Sequence, residues 1–185
     1  MEQPVHVPVL LREVLDALRP ERGGVYVDAT LGLGGHAEAI LSAGDDVRLV
    51  GIDRDREALA IAGERLARFG GRFVAVEGRH EELALHLDRL GLSEVAGILA
   101  DLGVSSMQLD RAERGFSFMK DGPLDMRMGQ TGPTAADLVA ELPAHELARI
   151  FREYGEEPRA KAVARSIAET RETTPIRTTG ELRSL

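Results

Sequence analysis

The stretch Val25-Tyr-Val-Asp-Ala-Thr-Leu-Gly-Leu-Gly-Gly-His36 joins a short apolar run to a glycine-rich turn and the start of a helical pattern. A second apolar run, from Val47 to Asp53, follows it and ends in a carboxylate nineteen residues after Gly34. A strand, a glycine turn, a helix and a strand ending in an acid make up a nucleoside-binding βαβ unit. The stretch therefore predicts an α/β fold built on a parallel sheet.

Strands and helices are expected to alternate over the first hundred residues. Strands are predicted over 25–28, 47–53, 72–77 and 95–101, and helices over 9–18, 35–43, 55–69 and 81–90. The strands are almost continuously apolar, which is typical of a parallel sheet covered on both faces. We therefore expect a doubly wound, Rossmann-like core over residues 1–104.

The remaining residues, 105–185, are expected to form a second domain. The segment 102–134 contains five glycines and has no clear period, so it predicts a long ordered loop, which in a compact domain usually carries function. Helices are predicted over 135–142, 143–154 and 158–170, and Thr179 is expected to cap a last one. Because four strands leave a doubly wound sheet incomplete, either the sheet is unusually small or the natural polypeptide continues beyond Leu185, and we expect the second.

The composition excludes several classes of protein. The chain has no cysteine, which excludes disulfides and thiolate metal sites, and we expect no bound metal. No apolar run approaches the roughly 18 residues of a membrane span. The amino terminus also lacks the basic and apolar regions of a signal peptide. These features predict a cytoplasmic protein that does not contact a membrane.

The charge balance limits how the chain can contact nucleic acid. The formal net charge is −8, whereas nucleic-acid binders are often basic because phosphate contacts supply much of their affinity. Any RNA contact must therefore come from a local arginine cluster or from outside this chain. The segment 152–185 has seven basic and six acidic residues, which predicts a balanced surface rather than a phosphate-binding stripe.

Two acids distinguish between the nucleoside ligands that such a unit could bind. Asp53 has the position of the acid that accepts hydrogen bonds from ribose hydroxyls. Asp28 stands four residues before Gly32, where it would repel a pyrophosphate but attract the ammonium group of S-adenosylmethionine. The acids therefore favour the methyl donor, although Asp28 could instead cap the glycine loop. An oxidoreductase that binds NAD through Asp53 is the competing interpretation.

Three segments after strand four carry a long and specific motif. They are Asp101-Leu-Gly-Val-Ser-Ser-Met-Gln-Leu-Asp110, Arg114-Gly-Phe-Ser-Phe118 and Asp121-Gly-Pro-Leu-Asp-Met-Arg-Met128. The motif closely resembles the bacterial small-subunit ribosomal-RNA cytidine N4-methyltransferases, the MraW family. Shorter matches are His6-Val-Pro-Val-Leu-Leu11, the loop 28–36, Gly51-Ile-Asp-Arg-Asp55 and Tyr154-Gly-Glu156. The resemblance thus covers essentially the whole chain.

The resemblance implies both a fold and an activity. It implies a class I methyltransferase core with a helical insertion domain after strand four. It also implies S-adenosyl-L-methionine as the donor, and the exocyclic N4 of a cytidine in the decoding region of 16S rRNA as the acceptor. The expected partner is therefore the small ribosomal subunit or its RNA. The oligomeric state is left open, with a homodimer as one option, and a non-enzymatic RNA-associated scaffold is a further alternative.

The resemblance also assigns site residues by position. The implied cofactor contacts are Gly34, Gly35, His36, Asp53, His80, Asp101 and Gln108. His80 occupies the position that flanks adenine, where relatives can carry Phe, so it departs from the pattern. Each side chain also has a structural interpretation: a helix cap for His36, a surface position for His80, a loop contact for Asp101 and a strut for Gln108.

Further residues of the motif are candidates for RNA contact. Arg111, Arg114 and Arg127 could meet phosphate or brace the loop. Phe116 and Phe118 could stack on a base or pack in the core.

Asp101 is the one candidate catalytic residue. Cytosine N4 is a poor nucleophile because its lone pair is delocalised, so an enzyme must align it and give its N–H groups an acceptor. Asp101 stands where other amino-methyltransferases begin an Asp/Asn-Pro-Pro-aromatic motif, although Leu-Gly-Val follows it here. The later strands of the family, with a Ser-Phe-His-Ser motif, are absent, so we expect no turnover by these 185 residues alone.

Overall fold

A computed structural model describes residues 8–185, so the first two residues of the motif that begins at His6 lie outside the described part. The chain divides into two compact units, Met1–Gly103 and Val104–Leu185. The first unit is built on a parallel sheet with the strand order β3-β2-β1-β4. Its strands are β1 (Gly24–Asp28), β2 (Val47–Asp53), β3 (Phe73–Glu77) and β4 (Gly97–Leu99).

Helices alternate with these strands, which confirms the predicted α/β class. They are α1 (Leu11–Leu18), α2 (Gly35–Ser42), α3 (Arg56–Leu66) and α4 (Leu83–Arg89), with short 3₁₀ turns at Pro20–Arg22, Ala67–Arg72 and His80–Glu82. Because all the strands are parallel, their carboxyl ends meet at one edge of the sheet, here called the carboxyl edge. The ends are Asp28, Asp53, Glu77 and Leu99.

The two central strands, β1 and β2, are buried on both faces of the sheet, which explains why their sequences are apolar at successive positions. Tyr26 and Leu49 pack into one buried cluster, whereas Val27 and Val50 belong to another. Neighbouring residues of a strand point to opposite faces of a sheet, so a strand covered on both faces has no polar side. Burying each of these side chains contributes about 1.5–3 kcal/mol, so the central strands anchor the unit.

Strand four is shorter than the sequence predicts. It was expected over 95–101 but pairs with β1 only over 97–99. The neighbouring strand sets the far end of β4, because the chain of β1 leaves the sheet after Asp28, which pairs with Leu99. A strand cannot extend beyond the partner that supplies its hydrogen bonds.

The second unit is helical. Its helices are α5 (Ser106–Asp110), α6 (Ala135–Glu141), α7 (Ala144–Glu153), α8 (Ala160–Arg171) and α9 (Thr179–Arg183), with a 3₁₀ turn at Ala112–Arg114. Helices α6, α7 and α8 surround a core in which Leu147, Ile167 and Val139 are buried. Among residues 8–185, no helix has the length and apolar content required to cross a membrane.

Two local predictions in this unit are wrong. The segment 102–134 is not entirely irregular, because Ser105 and Gln108 form a reciprocal capping box that starts α5. The last helix is capped by Thr178 and not by Thr179, because the Thr178 side chain accepts from the amide of Glu181. In both places a hydroxyl residue precedes Gln or Glu by three positions, which is the signature of a capping box.

Candidate functional site

The loop after β1 is held by backbone hydrogen bonds to both neighbouring strands. The amide of Ala29 donates to the carbonyl of Leu99 on one side (2.8 Å), and the amide of Leu31 donates to Ile52 on the other (2.9 Å). The loop is therefore fixed at the centre of the carboxyl edge. This is the position at which open α/β sheets bind their ligands.

Asp53 holds the glycine turn in place. Its Oδ2 accepts from the amide of Gly32 (2.8 Å), and its Oδ1 accepts from the amide of Asp55 (2.9 Å). Its backbone carbonyl also accepts from the amide of Gly78 after β3 (2.9 Å). A carboxylate has about four lone-pair sites, so this half-buried group retains capacity for further donors such as hydroxyls.

Asp28 lies inside the loop. The residue is 1% exposed, and its Oδ1 accepts from the Thr30 amide (3.1 Å) and hydroxyl (3.5 Å). Burial raises the pKa of this carboxyl to about 6, against the lowering effects of the Thr30 hydrogen bond and of nearby His36. The structure therefore gives Asp28 the loop-capping contact that was the alternative to a direct ligand contact.

Thr30 connects this loop to the end of β4. Its hydroxyl oxygen accepts from the amide of Asp101 (2.7 Å), while the side chain of Asp101 is exposed at the carboxyl edge. Sequence reasoning overlooked Thr30. The Asp-x-Thr spacing was the available signal, because a carboxylate commonly accepts hydrogen bonds from the backbone two residues on.

The glycines make room at the start of α2. Gly34 adopts a φ of +76°, and α2 begins without a side-chain cap. A Cβ on Gly35 would lie 2.6 Å from Cγ of Pro8. The first amides of a helix have no partner within the helix, so this uncapped start offers N–H donors to a ligand.

His36 is committed to a structural contact. The ring is 8% exposed, and its Nε2 lies 2.9 Å from the carbonyl oxygen of Val9, to which it donates. The partner is 27 residues away, so the ring ties the segment before α1 to α2 and does not cap α2. Only the backbone of His36 then remains for the ligand contact that the family resemblance implies.

The other two predicted contacts lie in different places. His80 is exposed and begins the 3₁₀ turn that follows β3 at the carboxyl edge. Gln108 belongs to the second unit, where its side chain is buried and its Oε1 accepts from the Ser105 amide (3.0 Å). Gln108 therefore has the strut contact, and the ligand roles of both residues stay predictions.

Most of the motif residues described in the second unit make contacts within that unit and stabilise it. The guanidinium of Arg127 forms an ion pair with Asp125 (2.7 Å) and lowers the pKa of that carboxyl. Arg114 donates to the carbonyls of Arg127 and Met128. Phe118 is 72% exposed and does not pack in a core, whereas Phe116 is half-buried.

The charge at the carboxyl edge limits which ligand fits. Three carboxylates, those of Asp28, Asp53 and Asp101, lie in or next to the loop after β1 and at the ends of β2 and β4. Among residues 8–185, no group of three or more acidic or histidine side chains is arranged to hold a metal ion. An acidic edge disfavours a pyrophosphate and favours a ligand with positive groups.

Comparison with known proteins yields one family. The model of the MraW methylase family matches residues 3–185. The chain is 55% identical to ribosomal RNA small subunit methyltransferase H of a Nocardioides species and 52% identical to that of Streptomyces avermitilis, over 98% of this chain in both cases. It is 54% identical to the protein of the same name from Clavibacter michiganensis, over 96% of this chain. The chain spans 57–58% of the length of these three relatives.

Proposed function

The chain belongs to the MraW methylase family, and we propose that it binds the methyl donor for methylation of small-subunit ribosomal RNA. The family implies S-adenosylmethionine as that donor, which is the cofactor predicted from the sequence. We further propose that the acceptor is the exocyclic N4 of a cytidine in the decoding region of 16S rRNA. The names of the relatives support an RNA of the small subunit as the substrate.

The acidic carboxyl edge is the observation that carries the donor assignment. S-adenosylmethionine has a positive sulfonium and a positive ammonium group, whereas NAD has a negative pyrophosphate. Asp53 and Asp101 are partly or fully exposed at this edge, and Asp28 is buried behind the loop. Opposite charges within a few ångströms attract more strongly beside a protein surface than in bulk water, so this site favours the methyl donor over NAD.

The loop after β1 and the ends of the strands would contact different parts of the donor. Asp53 has lone pairs left for ribose hydroxyls, and the backbone amides of Gly35 and His36 at the uncapped start of α2 would donate to the ligand. The amide of Gly34 donates to the carbonyl of Leu31 (2.9 Å), so Gly34 would contribute the shape of the turn. The family resemblance assigns the adenine side to His80, and the methionine end to Asp101 and Gln108. No metal takes part in this scheme.

Asp101 is the candidate for the acceptor side. When bound, the donor supplies a methyl group on a positively charged sulfur. The exposed carboxylate of Asp101 would accept a hydrogen bond from the N4 amino group and orient its lone pair toward that methyl. The same carboxylate would hold the proton that N4 must lose as the new nitrogen–carbon bond forms and the carbon–sulfur bond of the donor breaks, which leaves a neutral thioether. The Thr30 contact fixes the backbone from which this side chain extends.

Isothermal titration calorimetry of the chain with S-adenosylmethionine tests the donor assignment, with NADH as the competing ligand. We expect binding of S-adenosylmethionine alone. Asp53→Asn should weaken it about ten-fold, since hydrogen bonds to a charged group are roughly twice as strong as neutral ones. Asp46→Asn is the matched control, because Asp46 is exposed at the opposite end of β2. Binding of NADH, or equal effects of the two variants, would contradict the assignment.

The acceptor is tested by nucleoside analysis. RNA from small ribosomal subunits is incubated with labelled donor and a full-length protein that contains this chain, since the chain spans only 58% of its relative. The RNA is then digested and its nucleosides are separated. Any methylated nucleoside is expected to be N4-methylcytidine. A methyl group on another atom would refute the N4 assignment while leaving the donor site intact.

A further inference from the structure

Helices α7 and α8 enclose a groove in the second unit. They form a hairpin joined by residues 154–159, and the groove between them has a volume of about 530 Å³. Its alanines, Ala144, Ala148 and Ala168, are small, and its other lining side chains are charged or polar. Small residues at these positions leave an open channel where larger side chains would fill the space between the helices.

The basic side chains of the groove gather at one end. Arg152 is in the last turn of α7, and Lys161 and Arg165 are in the first half of α8, next to the same connection. Lys161 and Arg165 stand about one helical turn apart on the same side of α8. Of the three acids that line the groove, Glu153 lies next to Arg152 but is paired with Arg149, whereas Glu169 and Glu172 line the other end.

These three cations have no counter-charge. Within the described part of the chain, residues 8–185, no carboxylate lies within 4.0 Å of Arg152, Lys161 or Arg165, and all three are exposed. Their neighbour Arg149 differs, since it bridges Glu146 (3.0 Å) and Glu153 (2.7 Å). The cationic end is therefore available to an anion, whereas Arg149 is already neutralised.

The acidity of the whole chain does not extend to this unit. Residues 1–103 have 11 basic and 18 acidic side chains, whereas residues 104–185 have 12 and 13. The net charge of −8 therefore belongs mainly to the first unit. The surface over 152–185 is balanced in total charge, as predicted, but its charges are separated locally. Three of its seven basic residues lie together at one end of the groove, and two of its acids lie at the other end.

We propose that the cationic end of this groove binds the phosphate backbone of single-stranded RNA. The inference rests on the proposed function and extends it by assigning a substrate contact to residues that are not among the proposed donor contacts. Three unpaired cations around a channel are suited to consecutive phosphates of one strand, which a charged groove follows without reading sequence. The amino-terminal end of α8, which carries a partial positive charge, lies beside Lys161 and adds to the attraction.

Fluorescence anisotropy with a short labelled single-stranded RNA tests the proposal. The groove variant combines Arg152→Gln, Lys161→Gln and Arg165→Gln, which removes three charges and keeps long polar side chains. The control combines Arg12→Gln, Arg48→Gln and Arg89→Gln, three exposed residues of the first unit. Circular dichroism and calorimetric titration with S-adenosylmethionine verify that both variants fold and retain the donor site.

Loss of three phosphate contacts should reduce the slope of log K against log salt by about two, because each contact to a single strand contributes roughly 0.7. We expect this change, with binding weakened about ten-fold or more at moderate salt, in the groove variant and not in the control. Equal changes in both variants would overturn the proposal in favour of a diffuse charge effect. An unchanged groove variant, or a chain that binds donor but no RNA, would also overturn it. Loss of donor binding in the unmodified chain would instead contradict the proposed function.

Discussion

The hydroxyl oxygen of Thr30 accepts a 2.7 Å hydrogen bond from the backbone amide of Asp101, 71 residues further along the chain. The same hydroxyl lies 3.5 Å from the carboxylate of Asp28, to which it donates. One side chain thus links the end of β1, the glycine loop and the end of β4. The position of Asp101 depends on this link, which makes Thr30 a positioning residue for the candidate catalytic carboxylate.

Replacing Thr30 by Val removes the acceptor and keeps the shape of the side chain. We expect Thr30→Val to lower the free energy of unfolding by about 1 kcal/mol, the usual net value of one hydrogen bond. Donor affinity should fall as well, because the backbone at Asp101 loses its anchor. Urea denaturation and calorimetry measure the two effects. Thr30→Ser retains the hydroxyl and should retain donor affinity, so an equal loss in both variants would contradict the positioning role.

The buried carboxyl of Asp28 makes stability depend on pH. Its pKa is about 6 in the folded protein and 3.8 in the absence of the fold, so the folded state binds the proton more tightly. The cost of ionising the buried group is therefore absent below pH 3.8, grows as the pH rises toward 6 and is complete above it. Full ionisation costs about 3 kcal/mol.

Asp28→Asn removes this titration and leaves an amide oxygen to accept from Thr30. Between pH 4.5 and pH 7.5 the stability of the variant relative to the unmodified chain should change by about 2 kcal/mol in favour of the variant. Urea denaturation at the two pH values gives this difference directly. A stability difference that is the same at both pH values would show that Asp28 ionises normally in the folded protein.

Gly51 in β2 provides the space into which Leu31 of the glycine loop packs. A Cβ at this position would lie 2.6 Å from Leu31 Cδ1 and 3.1 Å from its Cγ. Gly51→Ala should therefore displace the loop, cost about 1–3 kcal/mol through overpacking and weaken donor binding. Gly63→Ala in α3 is the matched control, because its Cβ would meet nothing within 4 Å. That variant should gain about 0.5–1 kcal/mol, since Ala favours a helix interior.

Arg171 in α8 closes the end of α6. Its Nη1 donates to the carbonyls of Val139 (2.6 Å) and Leu142 (2.7 Å). Arg171→Met should lower the free energy of unfolding of the second unit by about 1.5–3 kcal/mol, because hydrogen bonds from a charged donor are lost. The exposed Arg177→Gln should change it by less than about 0.5 kcal/mol. Thermal unfolding followed by circular dichroism compares the two, and similar melting temperatures would argue against the capping role.

The order of strands and helices in the first unit could be predicted because the sequence patterns that indicate them are local. Apolar runs that end in Asp28 and Asp53 define strands, and the glycine turn between them defines a crossover. The length of β4 could not be predicted, because a strand paired with β1 depends on how far β1 itself remains in the sheet. Because β1 ends at Asp28, its pairing with β4 ends at Leu99.

In the candidate site, too, features set by local sequence could be predicted and long-range contacts could not. The sequence predicted Asp53 and the glycine turn as parts of one site from their spacing, and the structure brings them into contact through the Gly32 amide, while their ligand roles stay predictions. It did not reveal Thr30 as the contact of Asp101, nor Val9 as the partner of His36, because those pairs are 71 and 27 residues apart. Contacts of this kind depend on which strands become neighbours, and that information is not contained in any short motif.

The strand order also has a consequence for how the chain folds. Eighteen residues separate β1 from β2, whereas 68 separate β1 from β4. Closing the longer loop costs about 1 kcal/mol more in chain entropy, so we expect β1 and β2 to pair first and β4 to join later. The Thr30–Asp101 contact forms only with that late step. The candidate donor site would therefore form only after β4 has joined the sheet, together with the packing of Leu99 against the core of the first unit.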